Sequence, residues 1–313
     1  MRFVPTEEQR LFAASLDKLL DQADTPSAIR AWASGDHTPG RRIWTSLAEA
    51  GVFALAVPEE HDGMGPLPVE LVTAMHELGR HAVPGPLVET IAAAALLTAI
   101  GDTHWLPRIA AGEALVSVAA PYALDADVAD LVLVVRDGDL YEAEPARALR
   151  PSIDPSRRLF EVTPTRRLGA ADEPALDLAT LTCAAQHLGL GRRLLEVSVD
   201  YAKTRHQYGH PIGEYQAVKH HLADAVIDLE FARPLIHAAA LAHGTPDFPR
   251  DVSAAKIAAA EAAYGTAKTA LQVHGAIGYT AEYAPSLWIR KARALHTAWG
   301  SPATHRARLI AAL

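Results

Sequence analysis

Residues 178–241 constrain this chain most: two long apolar stretches, Leu178 to Lys203 and Gln216 to Leu241, are separated by only a dozen residues. Gly209, Pro211 and Gly213 punctuate the join, and glycine and proline at that spacing end one helix and force a tight turn before the next. Helices joined so briefly lie side by side and antiparallel. In the second, Val218, Leu222, Val226, Leu229 and Ile236 fall on one face, with Lys219, Asp224 and Glu230 off it. Further helical segments follow at about Val252 to His274, Pro285 to Ala298 and Pro302 to Ala311, so the C-terminal part reads as an up-down four-helix bundle. Ala254 to Ala263 is nearly all alanine, which suits helices that approach closely, in the bundle or at a subunit contact.

The N-terminal third also reads as helical. Thr6 followed by Glu7, Glu8 and Gln9 is a capping box with acids at the positive end of the helix dipole. Leu11, Phe12, Leu16, Leu19 and Leu20 then carry the helix to about Gln22. Residues 24–40, broken by Pro26, Gly35, Pro39 and Gly40, read as a loop holding a short helix. Helices are expected at about Arg42 to Ala50, Pro68 to Leu78, Leu87 to Gly101 and Trp105 to Gly112. The texture then changes. Valine-rich runs at Ala114 to Ala120 and Leu131 to Val135, the turn pair Asp137-Gly138 and a third run at Arg158 to Thr163 predict a small β unit. The expected organisation is mainly α: an all-helical domain over residues 1–112, a middle β domain over 113–170 and a helical bundle over 171–313.

Composition excludes several classes of function. A net charge of -8 gives no basic footprint for nucleic acid or an anionic membrane. Residues 90–100 are apolar but too short to span a bilayer, and the first ten residues carry charge without an apolar signal segment. Cys183, the only cysteine, has no internal disulfide partner and reads as a small core residue, which fits a reducing cytoplasm. His206, His210, His220 and His221 cluster without zinc-ligand spacing, so no metal is expected. Arg157-Arg158 and Arg166-Arg167 flank the β unit and read as solvated surface rather than as contacts to a ligand phosphate.

Two motifs carry chemistry. Arg205, Gln207 and Tyr208 stand together at a helix end, where the fixed donor fork of a guanidinium suits a phosphate. Leu271 to Tyr279 closes another helix with Gln272 and Gly275, and a glycine lets backbone approach a ligand closely. The first segment resembles the R-x-x-F-G-x-P-I…Q element of the acyl-CoA dehydrogenase family. The second resembles that family's Q-x-x-G-G-x-G-[YF] element, with Ala276 in place of the second glycine. Pro58 to Gly65 is similar to its P-x-x-x-G-G-x-G connection, with Asp62 where a glycine is usual.

This resemblance implies an acyl-CoA dehydrogenase-like fold and an FAD site. Arg205, Gln207 and Tyr208 would hold the pyrophosphate and adenine end of an FAD belonging to a neighbouring subunit, with Gln272, Gly275 and Ala276 along the same cofactor. In this family a glutamate takes the α-proton of an acyl-CoA while the β-hydride goes to the flavin. Anchored on Gln272 and Arg290, the position of that glutamate falls at Trp299, whose indole N–H donates and cannot act as a base. Trp299 is therefore expected to fill the substrate's place. A second location for the base in the family matches Ala179, beside Thr180, while the nearby Asp177 is offset by about 200° around the helix. The middle unit is shorter than the family's: Ser117 to Pro121 is what remains of a T-E-P-x-x-G-S-D segment, and a W-[IV]-[TS]-N segment is missing.

The pattern resembles the shortened chain of actinobacterial heterotetramers acting on steroid-derived CoA thioesters. It implies a subunit without a catalytic residue that shares FAD with a full-length dehydrogenase chain in an α2β2 assembly, serving an electron-transfer flavoprotein or similar acceptor. The rival readings are a homomeric dehydrogenase using a base such as Asp177, a helical assembly protein that has lost the cofactor, and a thioester-binding protein without a redox role.

Overall fold

The computed structural model describes residues 4–312. Helix α1 (Glu7–Gln22) begins at the expected capping box: Gln9 N donates to Thr6 Oγ1 at 3.2 Å and Thr6 N to Gln9 Oε1 at 2.9 Å. Leu16 and Leu20 bury, whereas Leu11, expected on the same apolar stripe, faces solvent. The expected loop over 24–40 is mostly helix: α2 (Thr25–Ser34) and α3 (Thr38–Glu49) flank a brief turn. Pro26 and Pro39 lie in the first turns of these helices, where a missing N–H leaves no bond unmade, so they start helices rather than interrupt them. The helices α4 (Pro68–Arg80), α5 (Leu87–Ala99) and α6 (Trp105–Ala110) follow close to their expected bounds. In the connection before α4, Asp62 takes a left-handed φ of 62°, a conformation that aspartate tolerates among non-glycine residues.

A single five-stranded sheet comes next, made of β1 (Val116–Ala119), β2 (Ala123–Leu124), β3 (Leu131–Arg136), β4 (Asp139–Arg150) and β5 (Leu159–Ala170). Its spatial order is β1-β3-β4-β5-β2, with β1 parallel to β3 and every other pair antiparallel. The Asp137-Gly138 turn joins β3 to β4, as its sequence suggests. Both β4 and β5 are longer than the apolar pattern indicated, because most of their length is solvated. Arg166 and Arg167 reach across them to Glu142 and Asp139, each at 2.7 Å.

The C-terminal part holds α7 (Glu173–Thr204), α8 (Gln216–Leu241), α9 (Phe248–His274), α10 (Pro285–Leu295) and α11 (Pro302–Ala311). The bounds of α8 and α11 match expectation. Helices α7 and α9 run parallel with α8 reversed against them, and α10 and α11 pack on α9. Gly191 is the point of closest approach: a Cβ there would lie 2.5 Å from Leu229 Cδ2 and 3.3 Å from Ala263 Cα. The alanine run of α9 thus serves this contact within the chain, with Ala255, Ala259, Ala260, Ala262 and Ala263 buried. One core runs from α1 through α5 and the inner strands into the bundle, including Leu16, Met75, Ile91, Leu133, Leu181 and Leu229.

On α8, Leu229 and Ile236 bury as expected, but Val226 does not. It joins Ile227, Phe231 and Leu235 in an apolar stripe open to solvent, with Phe231 72% exposed. No helix among the described residues is long and apolar enough to cross a membrane.

Candidate functional site

The turn after α7 is a miniature hairpin in which β6 (His206–Gln207) pairs with β7 (His210–Pro211) across Tyr208 and Gly209. Both turn residues have positive φ, 51° and 86°, the geometry of a two-residue hairpin that matches strand twist. Arg205 N is tied to Tyr201 O at 2.8 Å and Arg205 O receives Ile212 N at 2.7 Å, so the backbone is fixed while the side chain stays exposed. Tyr215 Oη donates to Gln207 O at 2.9 Å and braces the hairpin. Tyr208 is left 92% exposed, unusual for an aromatic ring.

Because α7 and α9 run parallel, the second motif arrives at the same end of the bundle. Tyr201 stacks against His274 with ring centroids 4.5 Å apart, and His274 Nδ1–H donates to Ala270 O at 2.8 Å. Gly275 then turns the chain at φ 62°, ψ -140°, a conformation open essentially to glycine. Gln272, Gly275 and Ala276 are all exposed, as are Arg205, Gln207 and Tyr208. The six residues named from sequence thus share one solvent-facing end of the bundle. An exposed guanidinium, exposed aromatic rings at Tyr208 and Tyr279 and a glycine-bound turn are a donor set that fits a nucleotide's phosphates and base.

Trp299 lies elsewhere. Leu295, four residues before it, accepts Lys256 Nζ at 3.2 Å. Eighteen residues of α9 separate Lys256 from His274, roughly 27 Å at the helical rise. Trp299 is buried, with φ 55°, and its carbonyl accepts from His305 Nε2 at 2.9 Å. It forms one wall of a cavity of about 360 Å³ rather than filling it, the other walls including Val118, Pro121, Ile153, Arg157 and Glu89. Asp177 is buried against Arg308, whose Nη2 donates to Oδ2 at 2.8 Å, an arrangement that holds a carboxylate rather than frees a base. Ala179 is buried, and the Thr180 hydroxyl is spent on Leu176 O at 3.0 Å.

Beneath the cavity sits a polar network that sequence reading missed. Burial pushes the carboxyl of Glu89 up, against the opposing pull of Arg157 and the indole of Trp299. Burial likewise pushes Asp125 up to about 7, although Trp32 Nε1 donates to its Oδ1 at 3.0 Å. Lys291 Nζ lies 3.2 Å from Asp154 Oδ2. Three acids thus face two bases. The one local signal was an acid, Glu89, inside the otherwise apolar run of α5. Arg157, read as surface, is half-buried here, where the segment before β5 lines the cavity together with Glu89. Separately, Asp17, Glu77 and His81 bring ligand-type atoms within 4.8 Å of one another, but the positive charge there is the Arg80 guanidinium, which pairs with Asp17 and lies 3.8 Å from Glu77 Oε2.

A helical N-terminal layer, a small sheet and a long-helix bundle define the class. The chain belongs to the acyl-CoA dehydrogenase family of flavoprotein oxidoreductases: the family's N-terminal domain matches residues 6–113 and its C-terminal domain residues 170–313. Between them lies the sheet. The chain is 32% identical over 299 residues to acyl-CoA dehydrogenase IpdE2 of Mycobacterium tuberculosis, covering 92% of each chain. It is 31% identical over 316 residues to IpdE2 of Mycolicibacterium smegmatis, covering 98% of this chain and 99% of that one. In fold it matches a chain of the ChsE4-ChsE5 complex from Mycobacterium tuberculosis with TM-score 0.87 at 24% identity, over 99% of this chain and 98% of that one. Butyryl-CoA dehydrogenase from Megasphaera elsdenii matches with TM-score 0.86 at 20% identity, over 100% and 99%.

Proposed function

We propose that this chain is a subunit of a heteromeric, FAD-dependent acyl-CoA dehydrogenase that desaturates an acyl-CoA thioester, with a full-length partner chain supplying the base and the flavin-ring pocket. FAD, when bound, supplies the hydride acceptor. Arg205 would pair with its pyrophosphate, and Gln207 and Tyr208 would meet its adenine end. Gln272, Gly275 and Ala276 would line the same cofactor. No residue of this chain is assigned to proton abstraction, since Trp299 is a donor only and Asp177 is engaged by Arg308.

The observation that carries this reading is the separation of the clasp from the Trp299 cavity by roughly 27 Å along α9. The two do not line one pocket, so a clasp this exposed is suited to a cofactor seated in another chain. The open apolar stripe of α8 supports a partner of matching surface. The two-chain name of the ChsE4-ChsE5 complex supports a two-chain assembly, and a match in fold to the Tcur3481-Tcur3483 steroid ACAD (TM-score 0.87, 24% identity) supports a steroid-derived substrate. An electron-transfer flavoprotein or similar acceptor would take the electrons.

The test is the ratio of visible flavin absorbance to protein for this chain produced alone and with a full-length dehydrogenase chain. A colourless lone chain and one flavin per two chains in the pair are expected. Arg205→Ala should lower flavin occupancy in a pair that still assembles. A lone chain carrying one flavin of its own would overturn the shared site.

A further inference from the structure

We propose that the cavity between α1, α4, α7 and α8, about 310 Å³ in volume, binds a compact ring-containing apolar molecule bearing one hydroxyl group. It shares no residue with the clasp or the Trp299 cavity. Ala13, Val72, Ala185, Leu188 and Ile236 supply apolar wall from all four helices. A volume of this size lies at the lower end of ordinary small-molecule sites and accommodates a compact ring system.

The polar groups of the inner wall set the ligand's chemistry. His76 Nδ1 lies 2.9 Å from Oε1 of the buried Glu77. A carboxylate there holds the proton on Nδ1, which leaves the other ring nitrogen, Nε2, as an acceptor in the neutral imidazole. The Thr73 hydroxyl donates to Val69 O at 2.8 Å, so its oxygen too can only accept. His76 and Thr73, neighbours on α4, therefore both ask for an O–H donor. An anion, even if drawn to the guanidiniums of Arg10 and Arg233 at the mouth, would meet these acceptors and the carboxylate of Glu77 at the inner wall. An ammonium would have to pass the guanidiniums of Arg10 and Arg233 at the mouth, the first resting on Pro5 O at 2.9 Å and the second on Glu230 Oε2 at 3.0 Å. A hydroxyl meets neither obstacle, and its ring carbons would cover the apolar wall. An occupant would tie α1 and α4 to α7 and α8.

Calorimetric titration of the full chain with 1-adamantanol and with 1-adamantanecarboxylate tests this. The alcohol is expected to bind saturably and at least about tenfold tighter than the carboxylate, the scale of one well-made hydrogen bond. His76→Leu should weaken the alcohol by about tenfold, and Ala13→Phe, which fills the cavity from the half-exposed α1, should abolish its binding, with circular dichroism checking both folds. The alcohol-carboxylate comparison on the unmodified chain stands even if a variant fails to fold. Absence of saturable alcohol binding, equal or tighter carboxylate binding, or binding unchanged in both variants would each overturn the proposal.

Discussion

Beneath the Trp299 cavity, Asp125 keeps one carboxyl oxygen on the Trp32 indole and leaves the other, Oδ2, buried without a hydrogen-bond partner. Folding raises its pKa from an ordinary 3.8 to about 7, so the folded chain holds a proton that the unfolded chain releases. The stability it contributes is fully present below about pH 4 and is lost as pH rises to about 7. Asp125→Asn keeps the acceptor for Trp32, suits the residue's φ of 54° and removes the charge. It is expected to stabilise the chain by about 1–3 kcal/mol above pH 7 and to flatten the loss between pH 5 and 8, measured by urea unfolding at both. Glu89 shifts in the same direction and leaves a residual slope. A variant that is less stable at pH 8 would contradict this account. Asp125 gives no signal in sequence and Glu89 only that of an acid in an apolar run, since what shifts each is its burial by distant segments. That Arg205, Gln207, Gln272 and Gly275 stand at helix ends and turns was legible because such features are written locally.

At the scale of elements, the parallel packing of α7 on α9 rests on the missing side chain of Gly191. Gly191→Val would push a branched group into Leu229 and the α9 backbone, and a loss of about 1–3 kcal/mol is expected in denaturant unfolding. Unchanged stability would mean that the helices separate there at little cost. Elements whose signals are local were read nearly to the residue: the capping box of α1, the turn between α7 and α8, the Asp137-Gly138 hairpin. Elements misread from sequence share a physical cause. Pro26 and Pro39 carry the same letter whether they end a helix or begin one, and the difference lies in the cap residue and the packing beyond it. Strands β4 and β5 alternate little because their outer halves face water on both sides.

For the whole molecule, the exposed stripe of Val226, Ile227, Phe231 and Leu235 is the feature a monomer has least use for. Phe231→Asp is expected to leave the lone chain folded, since the ring touches mainly solvent. It should weaken assembly with a full-length dehydrogenase chain by at least about 2 kcal/mol, the scale of an interface anchor. Light scattering on the co-produced pair reads this directly, and an intact pair in both Phe231→Asp and Ile227→Asp would remove α8 from the interface.

The amino-acid sequence by itself determined the helical plan and the turns and set the proposed clasp residues at a helix end and a turn, because capping and helix breaking depend on neighbours a few residues away. Only the tertiary structure decided that the clasp and the Trp299 cavity stand at different places on the bundle. It also buried Asp177 on Arg308, set Glu89 against Arg157 and left one face of α8 bare. Each of these depends on which distant segments meet, and the free energy of such meetings is shared among helices that no local pattern connects.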